Sequence, residues 1–196
     1  MDLSEHNLRR RLGAHQPKAA KTTETTRHAA VAAVLRYDAE GPEPHVLLIR
    51  RTSKPSDPWS GHMAFPGGRQ EPGDRDLVHT ASRETIEEVG VDLDRDGELI
   101  GRLDDVQAIS KARPMDLIIV PHVFLVHRPV ELVCQRSEVA EALWTPLGPM
   151  ARGEIDTIRP YERDGRALQL PGYQVGPHVV WGLTHRMLQL LFDAVR

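Results

Sequence analysis

Apolar positions along this chain change period several times, and the changes mark out its elements. Residues 29–36 and 45–50 are short runs dense in Ala, Val, Leu and Ile, which read as strands. Further strands are expected at 98–105, 117–127 and 139–144, a hairpin from 155–158 and 167–170, and a strand at 178–181. Two stretches follow the helical period instead. In 76–89, Val78, Ser82, Thr85, Ile86 and Val89 fall on one side, with Gly90 as the stop. In 182–195, Leu183, Met187, Leu190, Leu191 and Ala194 form an apolar stripe. A short helix is expected at 146–151, and an amphipathic one at 2–12 carrying Leu3, Leu8 and Leu12. Residues 13–27 are polar and read as a linker, so the chain divides into an N-terminal helix with linker (1–27) and one domain (28–196). Strands interspersed with two substantial helices predict an α/β layered fold.

The polar face of the 76–89 helix changes the picture. Glu84, Glu87 and Glu88 stand at i, i+3 and i+4, neighbours on one helical face. Clustered carboxylates repel, and a hard divalent cation is the natural compensation; Mg²⁺ prefers oxygen ligands and works beside substrate phosphates. Just upstream, Gly67-Gly68 permits close backbone approach, and Pro72-Gly73 marks a turn. Asp74 or Asp76 would cap the helix, with Asp74 preferred over a metal role for that residue. Arg50, Arg51, Lys54 and Arg69 flank the glycines and offer grips for phosphate, with Arg51 and Arg69 foremost. Phe65 and Trp181 sit in apolar contexts and read as core; His62 is the one histidine beside the loop.

Composition narrows the classes. The 196 residues are 40% hydrophobic and 27% charged, ordinary for a soluble globular protein. A net charge of -3 argues against a dedicated nucleic-acid binder. Cys134 is the single cysteine and cannot form an internal disulfide, which suits a reducing compartment. No apolar run has membrane-spanning length and no secretory signal is evident, so a cytoplasmic setting is the default expectation. There is no His-Glu-x-x-His, P-loop or dinucleotide fingerprint.

The run Gly68 to Asp74, then Arg83-Glu84-Thr85-Ile86-Glu87-Glu88-Val89-Gly90-Val91, resembles the Nudix box. It differs in carrying Asp74 where that box has Glu, one extra residue before Arg83, and Thr85 at an aliphatic place. These differences, with the approach Gly61-His62-Met63-Ala64-Phe65-Pro66-Gly67-Gly68 and the downstream Val180-Trp181-Gly182-Leu183-Thr184, look like the coenzyme A diphosphatase branch. The stretch Lys54-Pro55-Ser56-Asp57-Pro58-Trp59-Ser60-Gly61 departs from that branch's usual pattern. The resemblance implies an α/β/α sandwich with a mixed sheet between helices. It implies Mg²⁺ or Mn²⁺ held by Glu84, Glu87 and Glu88 with a backbone carbonyl of the Gly67-Gly68 turn, and Arg83 orienting the glutamates. Glu84, Glu88 and Glu138 would share the catalytic work, the general base being Glu84 or Glu138; Arg51, Arg69, Arg50 and Gly68 would meet a small-molecule nucleotide diphosphate. Coenzyme A or an acyl derivative leads as substrate. ADP-ribose, nucleotide sugars, dinucleoside polyphosphates and a non-catalytic nucleotide-binding regulator are the alternatives. No nucleic acid or membrane is expected, and a homodimer is compatible with the resemblance.

Overall fold

A computed structural model describes residues 1–38, 41–54, 57, 59–110, 113–163 and 166–196. Ala39 and Glu40 of the expected 38–44 turn, and Pro55, Ser56 and Pro58 of the stretch before the glycine loop, lie outside the described residues. The elements run α1 (Glu5–Ala14), β1 (Arg27–Tyr37), β2 (Pro44–Arg51), β3 (Met63–Ala64), β4 (Gly67–Arg69), α2 (Leu77–Val89), α3 (Leu93–Asp96), β5 (Gly97–Arg102) and β6 (Val106–Ser110). They continue with β7 (Arg113–Val126), β8 (Val139–Pro146), α4 (Leu147–Ala151), β9 (Asp156–Arg163), β10 (Arg166–Val175), β11 (His178–Trp181) and α5 (Gly182–Val195).

Eight described strands form one mixed sheet along β3-β2-β1-β7-β5, with β4 on β1, β6 on β7 and β8 on β2. β1 and β7 run parallel, while the other pairs are antiparallel. The pairing explains why β1 reads as unbroken apolar sequence: both its faces are covered. Ala29, Val31, Ala33 and Leu35 face the layer holding α1 and α5, and Ala30, Ala32 and Val34 face α2. The result is the α/β/α sandwich expected from the sequence. β9, β10 and β11 form a separate antiparallel sheet against α5.

α2 is set by its two ends. Asp76 is extended and its carboxylate accepts from the His79 N–H at 2.8 Å, while Gly90 adopts φ 74° and returns its N–H to the Ile86 carbonyl. A side chain at Gly90 would be strained in this left-handed turn. Asp76 is therefore the cap, and Asp74, the other candidate from sequence, is not. The buried face of α2 is Thr80, Ala81, Ser82, Thr85, Glu88 and Val89. These small residues bring the helix close to β1 and β4. Ile86, expected to pack, is exposed, and Glu88, expected on the free face, is buried. Glu88 lies on the same arc as Ala81 and Thr85, which faces β1 and β4, and its carboxylate accepts from the Gly67 N–H there.

The N-terminal segment is tied into the fold. Leu3, Leu8 and Leu12 are buried in the α5-side cluster, each worth about 1.5–3 kcal/mol of burial. Asn7 donates to the Val195 carbonyl at 3.2 Å, and Tyr37 donates its hydroxyl to the Leu3 carbonyl at 2.7 Å. Beyond α1 the chain is clamped by the β5–β6 connection. Asp104 accepts from His15 Nε2 and the Lys18 N–H, and Asp105 accepts from the Ala20 N–H. That connection also corrects the expected 98–105 strand, which ends at Arg102: Leu103 turns inward, and its N–H donates to the Pro121 carbonyl at 3.0 Å. No helix among the described residues is long and apolar enough to cross a membrane.

Candidate active site

β4 and α2 build one wall of a chamber of about 450 Å³. Gly67 has φ 149° and lies against the backbone of β1, where a Cβ would collide with the Ala30 carbonyl and Val31. Its N–H donates to Glu88 Oε2 at 2.9 Å. The next residue, Gly68, lies under Glu84, whose carboxylate occupies the space a Cβ would need. Two glycines thus let two glutamates of one helix meet a strand backbone directly.

The three helix acids separate in this arrangement. Glu84 and Glu88 line the chamber; Glu87 is 55% exposed and pairs with Arg83 Nη1 at 3.2 Å, outside the lining. Glu88 is only 2% exposed, and burial pushes its carboxyl up to about 8 against the opposing pull of the Gly67 N–H. Burial also raises Glu84, with the Arg83 guanidinium opposing. Among the described residues no three His, Cys, Asp or Glu side chains converge as a ready-made metal cage. The donors present are nevertheless hard oxygens, and a buried Glu88 whose carboxyl is pushed further up by the half-buried Glu84 suits a divalent cation more than any softer group.

Arg83 does not enter the chamber. Its Nε and Nη2 reach Asp74 at 2.9 and 3.0 Å, Nη2 also donates to the Arg69 carbonyl, and Nη1 reaches Glu84 at 3.1 Å. Asp74, 1% exposed, also accepts from the Thr80 hydroxyl and the Glu71 N–H, and its carboxyl is held well below the usual range, chiefly by Arg83. Asp74 and Arg83 therefore lock the loop between β4 and α2 and orient Glu84. The extra residue before Arg83 leaves the loop long enough for Asp74 to turn inward.

Arg51 and Glu138 line the same chamber, as does Arg69 at the end of β4 beside the helix. Arg51 is held by Asp57 through Nε at 3.1 Å and Nη2 at 2.7 Å. Glu138 is 54% exposed, with Lys54 Nζ 4.0 Å away, and its charge is felt at both Glu84 and Glu88. Arg50 faces Glu141 at 3.6 Å and is not among the chamber residues; the strand alternation that brings Arg51 in turns Arg50 away.

Three contributors escape a reading by sequence. Phe65 is core as expected and also borders the chamber, and Trp181 lines it too, packed at tilted angles against His62 at 4.6 Å and Tyr161 at 5.5 Å. Burial keeps the His62 imidazole below its ordinary value, hence neutral at pH 7. Asp57 and Trp59 arrive from an irregular segment, where no periodicity points to a site.

The NUDIX domain family model matches residues 26–163. An uncharacterized protein of Schizosaccharomyces pombe is 36% identical over 156 residues, which cover 78% of this chain and 46% of that protein. The mitochondrial coenzyme A diphosphatase NUDT8 of Homo sapiens is 34% identical over 144 residues, covering 72% of this chain and 58% of that one. The chain spans about half the length of these two curated relatives. The Mus musculus NUDT8 is 32% identical over 151 residues, covering 75% of this chain and 69% of that protein. Among solved structures, a NUDIX hydrolase from Alicyclobacillus acidocaldarius aligns with a TM-score of 0.53 at 21% identity, covering 90% of this chain and 95% of that one, and so has the same fold.

Proposed function

This chain belongs to the NUDIX domain family, and on that premise we propose that it hydrolyses the diphosphate linkage of a nucleotide derivative, with coenzyme A or an acyl-coenzyme A as substrate and Mg²⁺ or Mn²⁺ as cofactor. The observation that carries the reading is the Glu84–Glu88 pair seated on Gly67-Gly68, with Arg51, Arg69 and Glu138 lining the same chamber. The likeness to coenzyme A diphosphatases supports the choice of substrate.

A diphosphate resists hydrolysis because its anionic oxygens repel a nucleophile. Glu84 and Glu88, with a carbonyl of the Gly67-Gly68 turn, would hold the cation, which supplies neutralisation of that charge and acidification of a bound water. Glu87 supports the pair through its bond to Arg83. Arg51, pre-aligned by Asp57, and Arg69 grip the phosphoryl oxygens. Glu138 lines the same chamber, with its side chain 54% exposed, and takes the proton of the attacking water. Neutral His62 and Trp181 close the apolar side and limit water.

The test is product analysis. The protein is incubated with Mg²⁺ or Mn²⁺ and, separately, coenzyme A, ADP-ribose, a nucleotide sugar and a diadenosine polyphosphate, with Glu88→Gln as control. Release of 3′,5′-ADP from coenzyme A, lost in the variant, is the expected result. Turnover of another diphosphate alone would remove the coenzyme A assignment, and tight nucleotide binding without any turnover would replace the enzyme by a regulator.

A further inference from the structure

Behind the wall formed by Trp59, His62, Trp181 and Leu183 lies a second cavity of about 770 Å³. These four residues also line the metal-side chamber, so the two spaces adjoin across them. Much of the second cavity comes from outside the matched segment 26–163: Lys18 and Ala20 from the N-terminal strap, Leu170 from β10, and Leu190 from α5. The core family region supplies the acids and arginines of the first chamber, and the flanking segments supply much of the room beside it.

The chemistry of the walls selects the occupant. Val106, Ile109, Leu170, Leu183 and Leu190 present aliphatic carbon. The two carboxylates of the lining are already engaged, Asp104 with His15 and the Lys18 N–H, and Asp105 with the Ala20 N–H and Arg102, and the remaining charged side chains there are the cations Lys18 and Arg186. The Trp181 ring is crowded by His62 and Tyr161 at tilted angles and by the Arg159 guanidinium, so the protein's own groups take much of its stacking surface. A nucleobase needs an open stacking face and edge partners, and a sugar needs polar partners for its hydroxyls; an extended neutral arm with an apolar end needs neither. A space of this size is within the range that encloses a whole small ligand.

We propose that this cavity is the specificity subsite for the non-nucleotide arm of the substrate, an acylated phosphopantetheine, and that the strap at Lys18–Ala20, pinned by Asp104 and Asp105, is its outer wall. The assignment rests on the diphosphatase reading above for the identity of the arm. It gives the N-terminal helix a function: α1 anchors the strap that closes the subsite.

The experiment measures product-side binding, which does not depend on turnover. Octanoyl-phosphopantetheine and 3′,5′-ADP are titrated calorimetrically into the full chain, Ala20→Trp and Ile109→Trp. The two variants fill the cavity from opposite sides, and Ile109 is 47% exposed in β6, a position tolerant of a larger side chain. Octanoyl-phosphopantetheine is expected to bind more tightly than its acetyl counterpart, by about fourfold per methylene until the cavity is full. Both variants should weaken octanoyl-phosphopantetheine at least tenfold and 3′,5′-ADP less than twofold. Loss of 3′,5′-ADP affinity instead would make the cavity the nucleoside site and overturn the proposal. So would wild-type indifference to the acyl arm, or a folded variant that binds it unchanged. If Ala20-dependent arm binding is present but coenzyme A is not hydrolysed, the subsite stands and the diphosphatase reading falls.

Discussion

Glu88 costs the cation-free protein stability, and the cost has a defined pH window. Its folded value is about 8 against an ordinary 4.5. Between these values the folded state binds more protons than the unfolded one, so this residue's contribution falls as pH rises. At about 1.36 kcal/mol per pKa unit, the penalty is near zero at pH 4.5, on the order of 3 kcal/mol at pH 7, and about 5 kcal/mol above pH 8. Glu88→Gln removes the charge while its amide oxygen can still accept from the Gly67 N–H. The assay is urea unfolding in EDTA at pH 5, 7 and 9, comparing midpoints and slopes of wild type and variant. Taking the difference between the two proteins cancels the titrations of groups that do not interact with Glu88. The variant should match wild type at pH 5 and exceed it by about 3 kcal/mol at pH 7. Adding Mn²⁺ should raise wild-type stability at pH 8 and leave the variant nearly unmoved. A stability difference that is flat with pH, or a variant that is weaker at pH 9, would refute the reasoning.

The remaining predictions concern the loop, its lock and a buried histidine. Gly68→Ala forces Glu84 from its seat, so kcat should drop at least a hundredfold while the melting temperature changes little; Gly67→Ala meets backbone at a positive φ and should cost about 2–4 kcal/mol in urea unfolding. Asp74→Asn breaks the buried pair with Arg83 and should cost about 3–5 kcal/mol, with activity lost in proportion to the disordering of Glu84, measurable by denaturation and by the split between kcat and KM. His122 is buried and pushed down to about 4 by burial, with Arg102 adding to the effect. A lowered folded value removes stability as pH falls from 6.5 towards 4, by about 3 kcal/mol, and His122→Phe should flatten that part of the pH-stability curve.

Local chemistry made much of this protein legible from its sequence. The period changes placed β1, β2, α2 and α5 close to their observed bounds, because both-face burial writes unbroken apolar runs and one-face burial writes a helical stripe. The end of α2 at Gly90 was readable for the same kind of reason, since a left-handed residue there needs glycine. The spacing of Glu84, Glu87 and Glu88 put them on one helix, and the glycines beside them announced a close approach. Which acid is buried was decided by tertiary packing, since Glu88 meets the Gly67 N–H of β4 while Ile86 stays exposed; the Glu87–Arg83 pair is an i,i+4 contact that the helix itself supplies. The role of Asp74 depended on the loop's path, which spacing alone leaves open between cap and buried lock. Arg50 and Arg51 are adjacent and chemically alike, yet one meets Glu141 and the other the chamber, because a strand sends neighbours to opposite faces. The second cavity is the clearest case, since Ala20, Ile109, Leu170 and Leu190 share no sequence neighbourhood and meet only when the strap is pinned across β6 and α5. Periodicity and capping depend on residues a few places apart and can be read along the chain. Cavities, charge burial and ion-pair partners depend on residues brought together from afar, and only the folded packing determines them.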